Sequence, residues 1–340
     1  MASTAGIFGV SGPILTPEER AFFRELQPWG FIVFARNVEA PDQLRRLTTD
    51  LRESVGRNAP ILVDQEGGRV QRLRAPHWRE WEPVQALFDR DPAQAEAALG
   101  LRYRLIAAEL RDVGLDVNCV PLLDLPVEGA DPVIGARALG TEPSTVARRG
   151  RIVAEACLQG GVLPIIKHVP GHGRADCDTH HALPRVTAPV EQLWATDFAP
   201  FQELSDHVLG MTAHIVYEAL DEERCATVSR VVIEMIRRDI GFDGLLMTDD
   251  ISMEALSGPV GQRAYDALQA GCDMILHCNG VMDEMTEIAA QLPVLAGRAR
   301  ARAERAEAAR RRPDLFDAAE GWARYSALTA APPYAEVSNG

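Results

Sequence analysis

The sequence predicts a single-domain α/β fold of the (β/α)8 barrel type, and three observations support this prediction. Short apolar runs recur along the chain, and each alternates with an amphipathic helical stretch. These runs are almost continuously apolar, as expected for parallel strands covered on both faces. In several units a glycine follows the last helical residue, where a left-handed conformation turns the chain back towards the sheet.

The predicted strands number eight. They cover approximately residues 6–10, 30–35, 60–64, 116–123, 162–168, 207–214, 244–249 and 272–278. Eight parallel strands favour closure into a barrel, whose functional residues lie at the carboxyl ends of the strands. An open doubly wound sheet is the competing architecture, but no GxGxxG turn follows the first strand.

Three helices illustrate the alternation. Residues 40–56 form an amphipathic helix for which we expect Asp42 as the cap, and Ser229 should cap another. The charged helix over residues 298–312 should present a solvated outer face. We expect one catalytic domain over residues 1–330 and a disordered tail over residues 331–340.

Composition narrows the class of function. The 340 residues are 46% hydrophobic, and the net charge of −14 disfavours binding to nucleic acids or anionic membranes. We find no secretory signal and no apolar run long enough to span a membrane. The six cysteines form no CxxC pair, which is typical of free thiols in a reducing compartment. We therefore expect a cytoplasmic monomer that acts on a small molecule.

The segment with the most titratable groups is KHVPGHGRADCDTHHALP, residues 167–184, which directly follows a predicted strand. Asp178 stands two residues before His180, so its carboxylate can orient the imidazole and tune its basicity. This favours an acid/base dyad on a mobile loop. A metal site is the alternative, although no HExxH spacing occurs. Its possible ligands are His168, His172, His180, Asp176 and Asp178.

Two further segments place charged groups at strand ends. Asp249 and Asp250 end the run LLMTDD, where a carboxylate could act as a nucleophile or accept hydrogen bonds from a substrate. Asp250 could instead cap a helix that begins at Ile251. Asp64 ends another run and is followed by Arg69, Arg72 and Arg74, and such pairs suit recognition of sugar hydroxyls or carboxylates.

These segments resemble the family-3 glycoside hydrolases, in particular the single-domain bacterial β-N-acetylglucosaminidases of peptidoglycan recycling. The resemblance covers about residues 7–295. It rests on VDQEGGRVQR, IGARALG, KHVPGHGRADCDTHHALP, MTAHIVY and GLLMTDDISMEA. The run KHxPGHGxxxxDxH is the most specific of these, because other members of the larger family lack its histidine-containing loop.

The resemblance implies a role for each matching residue. Asp249 would be the nucleophile that forms a covalent glycosyl-enzyme, and His180 the general acid/base that Asp178 holds and polarises. The residues implied in binding N-acetylglucosamine are Asp64, Arg72, Arg137, Lys167 and His168. The implied substrate is N-acetylglucosamine β-1,4-linked to 1,6-anhydro-N-acetylmuramic acid, with or without peptide, and no metal or organic cofactor is needed.

Three other functions compete with this hypothesis. A phosphorylase would use phosphate in place of water, because a neutral histidine repels phosphate less than a carboxylate would. A metal-dependent amidohydrolase would use the histidine-rich loop to hold zinc. A sugar-binding barrel without catalysis would leave Asp249 and His180 idle.

Overall fold

The structure, a computed structural model, describes residues 3–175, 177 and 182–330. Asp176, Asp178 and His180 of the histidine-rich segment therefore lie outside the described residues, and so does the predicted tail over residues 331–340.

The described strands are short and mostly buried. They are β1 (Thr4–Phe8), β2 (Pro28–Val33), β3 (Ile61–Val63), β4 (Gln65–Gly67), β5 (Val70–Gln71), β6 (Val117–Asn118), β7 (Leu163–Pro164), β8 (Ile166–Val169), β9 (Arg185–Val186), β10 (Leu209–Thr212), β11 (Val216–Tyr217), β12 (Leu245–Asp250) and β13 (Met274–His277).

Helices separate most of these strands. They are α1 (Pro17–Leu26), α2 (Pro41–Val55), α3 (Gln85–Arg90), α4 (Ala95–Asp112), α5 (Pro143–Gln159), α6 (Val190–Ala195), α7 (Ala199–Glu203), α8 (Arg230–Arg238), α9 (Val260–Ala270), α10 (Met282–Ala289), α11 (Gly297–Ala309) and α12 (Ala318–Thr329). Short 3-10 helices cover Ala35–Asn37, Gly135–Arg137 and Ala226–Val228.

The main sheet is a closed parallel barrel. Its strand order is β7-β6-β3-β2-β1-β13-β12-β10-β8. The first and last members of this order, β7 and β8, are two pieces of one strand interrupted at Ile165. The Ile165 amide faces the carbonyls of Asn118 and Val120, at 3.2 and 2.8 Å, so this strand still pairs with β6 across the interruption. The predicted (β/α)8 fold is therefore confirmed, and each predicted apolar run overlaps one barrel strand.

Alternation along the strands divides the hydrophobic core into an inner and an outer part. In β1, Ala5 and Ile7 belong to the cluster inside the barrel, whereas Phe8 packs in the cluster between the strands and the surrounding helices. This is the result expected for strands with a side-chain period of two and cover on both faces.

The prediction for the charged helix near residue 300 was only partly right. Most of α11 is exposed, but Ala303 and Ala306 are 3% and 0% exposed and belong to the inner cluster. Arg302 on the same helix pairs with Asp243 and Asp273. The small alanine side chains allow α11 to pack against the apolar residues of the inner cluster.

The cap predictions had different outcomes. Ser229 caps α8 by accepting from the Val232 amide, as predicted. The prediction for Asp42 was wrong, because α2 begins at Pro41 and Asp42 already lies in its first turn. No helix of the described residues is both long and apolar enough to cross a membrane.

Candidate active site

The carboxyl ends of the barrel strands surround a cavity of about 400 Å³. Residues from the ends of β2, β3, β8, β12 and β13 and from the loops that follow line this cavity. Its polar lining includes Arg36, Asp64, Arg69, Arg72, Arg137, Lys167, His168, His172, Asp249, Asp250 and Asn279. The position agrees with the functional face expected of a parallel barrel.

Asp64 is held between two cations. Its carboxylate lies 3.0 Å from Lys167 Nζ and 3.0 Å from Arg72 Nη2. Burial alone would raise the pKa of Asp64, but the charges and hydrogen bonds of Lys167 and Arg72 hold that pKa well below its ordinary value. Asp64 is therefore an ionised and fixed hydrogen-bond acceptor at the cavity wall.

Glu66 extends this ionic array, although the sequence analysis gave it no role. Arg137 donates to both of its oxygens, Nε at 2.9 Å and Nη2 at 2.8 Å, and Lys167 Nζ lies 2.7 Å from Oε1. Burial raises the pKa of Glu66, but Arg137 and Lys167 outweigh that effect and lower it to about 2. The same two carboxylates, Asp64 and Glu66, raise the pKa of Lys167 despite its burial.

Asp249 lies at the end of β12 with its side chain 13% exposed. His168 Nε2 is 3.9 Å from its Oδ2 atom, and the Asp250 amide donates to Oδ1 at 2.8 Å. Burial would raise the pKa of Asp249, but electrostatic interactions with the His168 and His214 rings, together with the hydrogen bond from the Asp250 amide, lower it overall. The carboxylate is thus ionised, and among the described residues no lysine or arginine forms an ion pair with it.

Asp124 forms a hydrogen bond with the ring of His168. It is fully buried, and its Oδ2 atom lies 2.7 Å from His168 Nδ1. Its Oδ1 atom accepts from the backbone amides of His168, at 3.2 Å, and His172, at 2.7 Å. Burial opposes ionisation of Asp124, yet these contacts lower its pKa, His168 contributing most. Burial, followed by the electrostatic effect of the neighbouring His168 ring, lowers the pKa of His172 to about 4.

His214 contacts the backbone of Asp250, the residue after Asp249. Its Nε2 atom donates to the carbonyl of Asp250 at 3.0 Å, and its Nδ1 atom lies 2.8 Å from Thr227 Oγ1. Burial lowers the pKa of His214, so the ring is neutral with its proton on Nε2. These contacts fix the backbone on which Asp249 is mounted.

Asp250 does not cap a helix, contrary to one of the two hypotheses. Residues 251–256 form turns, and α9 begins only at Val260. The Asp250 carboxylate accepts from the Cys278 amide at 3.1 Å and from Ser252 Oγ at 2.8 Å. It therefore joins the loops after β12 and β13, while Asp249 is left facing His168.

Sulfur atoms and unpaired arginines complete the cavity wall. Met211, Met253 and Cys278 line it, and burial raises the pKa of the Cys278 thiol well above its ordinary value. Arg36 donates to the carbonyls of Val10 and Cys278, and Arg69 donates to that of Val133. Neither guanidinium forms an ion pair within residues 3–175, 177 and 182–330, so both charges remain available to a ligand.

The structure brings together six of the predicted site residues. Asp64, Arg72, Arg137, Lys167, His168 and Asp249 all line the one cavity. His180 and Asp178 lie outside the described residues, as does Asp176 of the possible metal ligands. In the described part of the chain, no three histidine, cysteine or acidic side chains are placed to hold a metal ion.

Glu66, Asp124 and His214 are the residues that sequence reasoning missed. The sequence contained a signal for Glu66. Residues two apart on an extended chain point to the same side, and Asp64 was already predicted to bind the sugar. Asp124 directly follows the predicted strand over residues 116–123, and His214 ends the predicted strand over residues 207–214, but this position alone implies no function. Their partners, His168 and Thr227, come from other segments, so the contacts could not be read from local spacing.

Comparison with known proteins gives a consistent result. Residues 15–311 match the model of the glycosyl hydrolase family 3 N-terminal domain. The chain is 38% identical over 277 residues to a β-hexosaminidase of Bordetella avium, an alignment that covers 79% of both chains. It is 38% identical over 281 residues to a β-hexosaminidase of Alkalilimnicola ehrlichii, with 80% of each covered.

A solved structure agrees over nearly the whole chain. NagZ from Neisseria gonorrhoeae in complex with N-trifluoroacetyl-D-glucosamine superimposes with a TM-score of 0.84 at 30% identity, and 97% of each chain is covered. The family match, the identity to these relatives and the shared barrel lead to one conclusion. The chain belongs to family 3 of the glycosyl hydrolases and is a glycoside hydrolase.

Proposed function

We propose that this enzyme is a retaining β-N-acetylhexosaminidase that releases terminal N-acetylglucosamine from β-1,4-linked muropeptides and anhydromuropeptides during peptidoglycan recycling. Relatives named β-hexosaminidase support the activity, and a ligand of the glucosamine type is bound in the similar NagZ structure. The observation that carries the proposal is the ionised Asp249 carboxylate, which lines the cavity beside His168 and forms no ion pair with a lysine or arginine of the described residues.

Asp249 has the properties of a nucleophile. A retaining glycosidase needs a carboxylate that is ionised at neutral pH and close to the anomeric carbon. A tight ion pair would reduce the nucleophilicity of such a group. The contact with His168 at 3.9 Å is longer than a hydrogen bond, so the Asp249 oxygen remains available for attack and for a covalent glycosyl-enzyme.

We assign the acid/base role to His180 and the polarising role to Asp178 on the motif alone. The described part of their segment supports this assignment in one respect. The chain leaves β8 beside His168, which lies 3.9 Å from Asp249, so the segment starts at the nucleophile's side of the cavity. His180 would protonate the leaving oxygen and then activate the water that hydrolyses the intermediate.

The ionic array suits the binding of the sugar. Asp64 and Glu66 are ionised acceptors, and Lys167, Arg72 and Arg137 are donors whose positions their carboxylate partners fix. Each hydroxyl of a pyranose both donates and accepts hydrogen bonds, so these fixed donors and acceptors can bind vicinal hydroxyls with little reordering of side chains. We therefore propose that Asp64, Arg72, Arg137, Lys167 and His168 bind N-acetylglucosamine.

The muramic acid part of the proposed substrate, to which N-acetylglucosamine is linked, would carry a negative charge. Arg36 and Arg69 line the cavity and donate to backbone carbonyls, without an ion pair in the part of the chain that the structure describes. Arginine recognises carboxylates well because its planar fork donates two parallel hydrogen bonds. These two residues support a muramic acid or peptide carboxylate in the substrate. The thiols of Cys119, Cys157, Cys225, Cys272 and Cys278 form no disulfide among the described residues, which supports a reducing compartment such as the cytoplasm.

Covalent trapping tests this proposal. Incubation with a 5-fluoro glycosyl donor of N-acetylglucosamine, followed by peptide mapping with mass spectrometry, should find the sugar on Asp249. The neighbouring variant Asp250→Asn should still be labelled at Asp249, whereas Asp249→Ala should acquire no label. Asp249→Ala should also lose at least about 10⁴-fold in kcat on p-nitrophenyl N-acetyl-β-glucosaminide while its unfolding midpoint stays near that of the wild type.

Two results would contradict the assignment. One is a label on any other side chain, and the other is near-normal turnover by Asp249→Ala. Turnover in the presence of phosphate should yield free N-acetylglucosamine. N-acetylglucosamine 1-phosphate as the main product would establish a phosphorylase, and loss of activity on chelation with recovery by zinc would establish the metal-dependent alternative.

A further inference from the structure

Asp124 is a buried carboxylate, and its hydrogen bonds with the described residues all come from the histidine segment. It follows β6 and is 0% exposed. Its two oxygens contact the His168 ring and the amides of His168 and His172, at 2.7, 3.2 and 2.7 Å. Among the described residues no lysine or arginine forms an ion pair with it. A buried charge that binds only one ring and two amides is not explained by neutralisation of a neighbouring cation.

The contact with the ring determines where His168 carries its proton. An ionised carboxylate can only accept hydrogen bonds, so the nitrogen 2.7 Å from Asp124 Oδ2, which is Nδ1, must be the donor. Nε2 is then the nitrogen on the opposite side of the ring, 3.9 Å from Asp249 Oδ2. His168 lines the cavity, so Nε2 is the atom that it offers to a bound sugar.

We infer that Asp124 is a positioning residue of the reaction: it holds the proton on His168 Nδ1 and fixes the ring so that Nε2 meets the sugar beside the nucleophile. The inference rests on the proposed function, in which His168 contacts the substrate. Asp124 itself does not line the cavity and acts only through His168.

The two oxygens of Asp124 have separate tasks, and this makes the inference testable. Oδ1 binds the two backbone amides and so anchors the beginning of the loop, while Oδ2 binds the ring. In Asp124→Asn the amide oxygen can keep both backbone contacts, and the amide nitrogen then faces Nδ1. Because that nitrogen donates, Nδ1 must accept and the ring proton moves to Nε2. The same substitution enforces the wrong histidine tautomer in serine-protease triads without changing the geometry.

Asp116 provides a matched control. It precedes the same strand, β6, is 2% exposed, and accepts from the Ile61 amide at 2.8 Å, but it does not line the cavity. Asp124→Asn and Asp116→Asn therefore make the same chemical change in similar burial. Only the first should change the His168 ring, whereas both should affect stability.

The experiment measures kcat/KM for a series of N-acetyl-β-glucosaminides with leaving groups of increasing pKa, together with the imidazole nitrogen spectrum of histidine-labelled protein. His168→Gln identifies the His168 signals. We expect Asp124→Asn to lose about 100-fold in kcat/KM, by the same factor for every leaving group, and to shift the His168 proton from Nδ1 to Nε2. Asp116→Asn should stay within about threefold of the wild type.

Three outcomes would overturn the inference. The first is an unchanged His168 spectrum in Asp124→Asn. The second is an activity loss no larger than that of Asp116→Asn. The third is a loss of kcat/KM that becomes larger as the pKa of the leaving group rises. Such a trend would show that the substitution affects acid catalysis through the loop. The spectrum requires no turnover, so it decides whether Asp124 sets the His168 tautomer even if the wild-type protein proves inactive on these glycosides, a result that would refute the proposed function instead.

Discussion

Both ends of the barrel contain buried carboxylates, but the groups around those carboxylates differ. At the amino end Asp116 and Asp273 directly precede β6 and β13, and each accepts from a backbone amide near the start of another strand, Ile61 or Leu246. Asp116 pairs with Arg52 and Arg310, and Asp273 pairs with Arg237 and Arg302. Each carboxylate therefore ties the barrel to arginines from surrounding elements.

At the carboxyl end the cations and carboxylates form ion pairs with one another at the cavity. Lys167 lies between Asp64 and Glu66, and these two carboxylates also bind Arg72 and Arg137. Asp249 lies in the wall of the same cavity, and its neighbours there are the imidazole rings of His168 and His214. Burial of charge alone therefore does not mark a catalytic site. The distinguishing feature is a buried carboxylate without a lysine or arginine partner that faces a cavity.

Among the changes that test this comparison, removal of the positive charge of Lys167, which lies between Asp64 and Glu66, should have the largest effect. Lys167→Met keeps the volume and burial but leaves Asp64 and Glu66 with one arginine each. We expect kcat/KM to fall by at least about 100-fold, and the free energy of unfolding to fall by about 3–5 kcal/mol because a buried pair loses one partner. Urea unfolding and assays on the p-nitrophenyl glycoside check both values. Normal kinetics in a destabilised variant would restrict Lys167 to a structural role.

The corresponding change at the amino end should affect stability alone. Asp273→Asn keeps an acceptor for the Leu246 amide but removes the charge between Arg237 and Arg302. We expect the free energy of unfolding to fall by about 2–4 kcal/mol, with kcat/KM within about threefold of the wild type. The same urea and kinetic measurements apply. A large loss of activity without a loss of stability would contradict the proposed division between the two ends.

Acid unfolding should show a smaller effect that originates at the carboxyl end. The pKa of Glu66 is lowered from 4.5 to about 2 in the folded state, so the unfolded chain binds the proton first as the pH falls. The stabilisation is therefore complete above about pH 4.5 and is lost as the pH falls towards 2. We expect its size to be about 1–3 kcal/mol. Glu66→Gln should flatten the pH dependence of urea unfolding over this range, and an unchanged slope would refute the assignment.

The sequence predicted the barrel well because apolar runs and their spacing are local features. Strand ends also pointed to Asp64, His168 and Asp249, and the family resemblance supplied Lys167. All four line one cavity, and their roles stay predictions. The sequence did not predict that Glu66 binds Lys167, because that contact joins residues far apart in the chain. The buried face of α11 was missed for another reason. Alanines between arginines and glutamates give little apolar signal, although Ala303 and Ala306 are almost completely buried.

The sulfur atoms in the cavity wall have a consequence for chemical damage. Burial keeps the Cys278 thiol protonated, and reagents that attack thiolates therefore react slowly there. Thioether oxidation requires no ionisation, and Met253 is more exposed than Met211. A peroxide would thus place a polar sulfoxide on Met253, within the cavity that Asp249 lines. At the cavity wall, Cys278 should consequently tolerate alkylating agents better than Met253 tolerates oxidants.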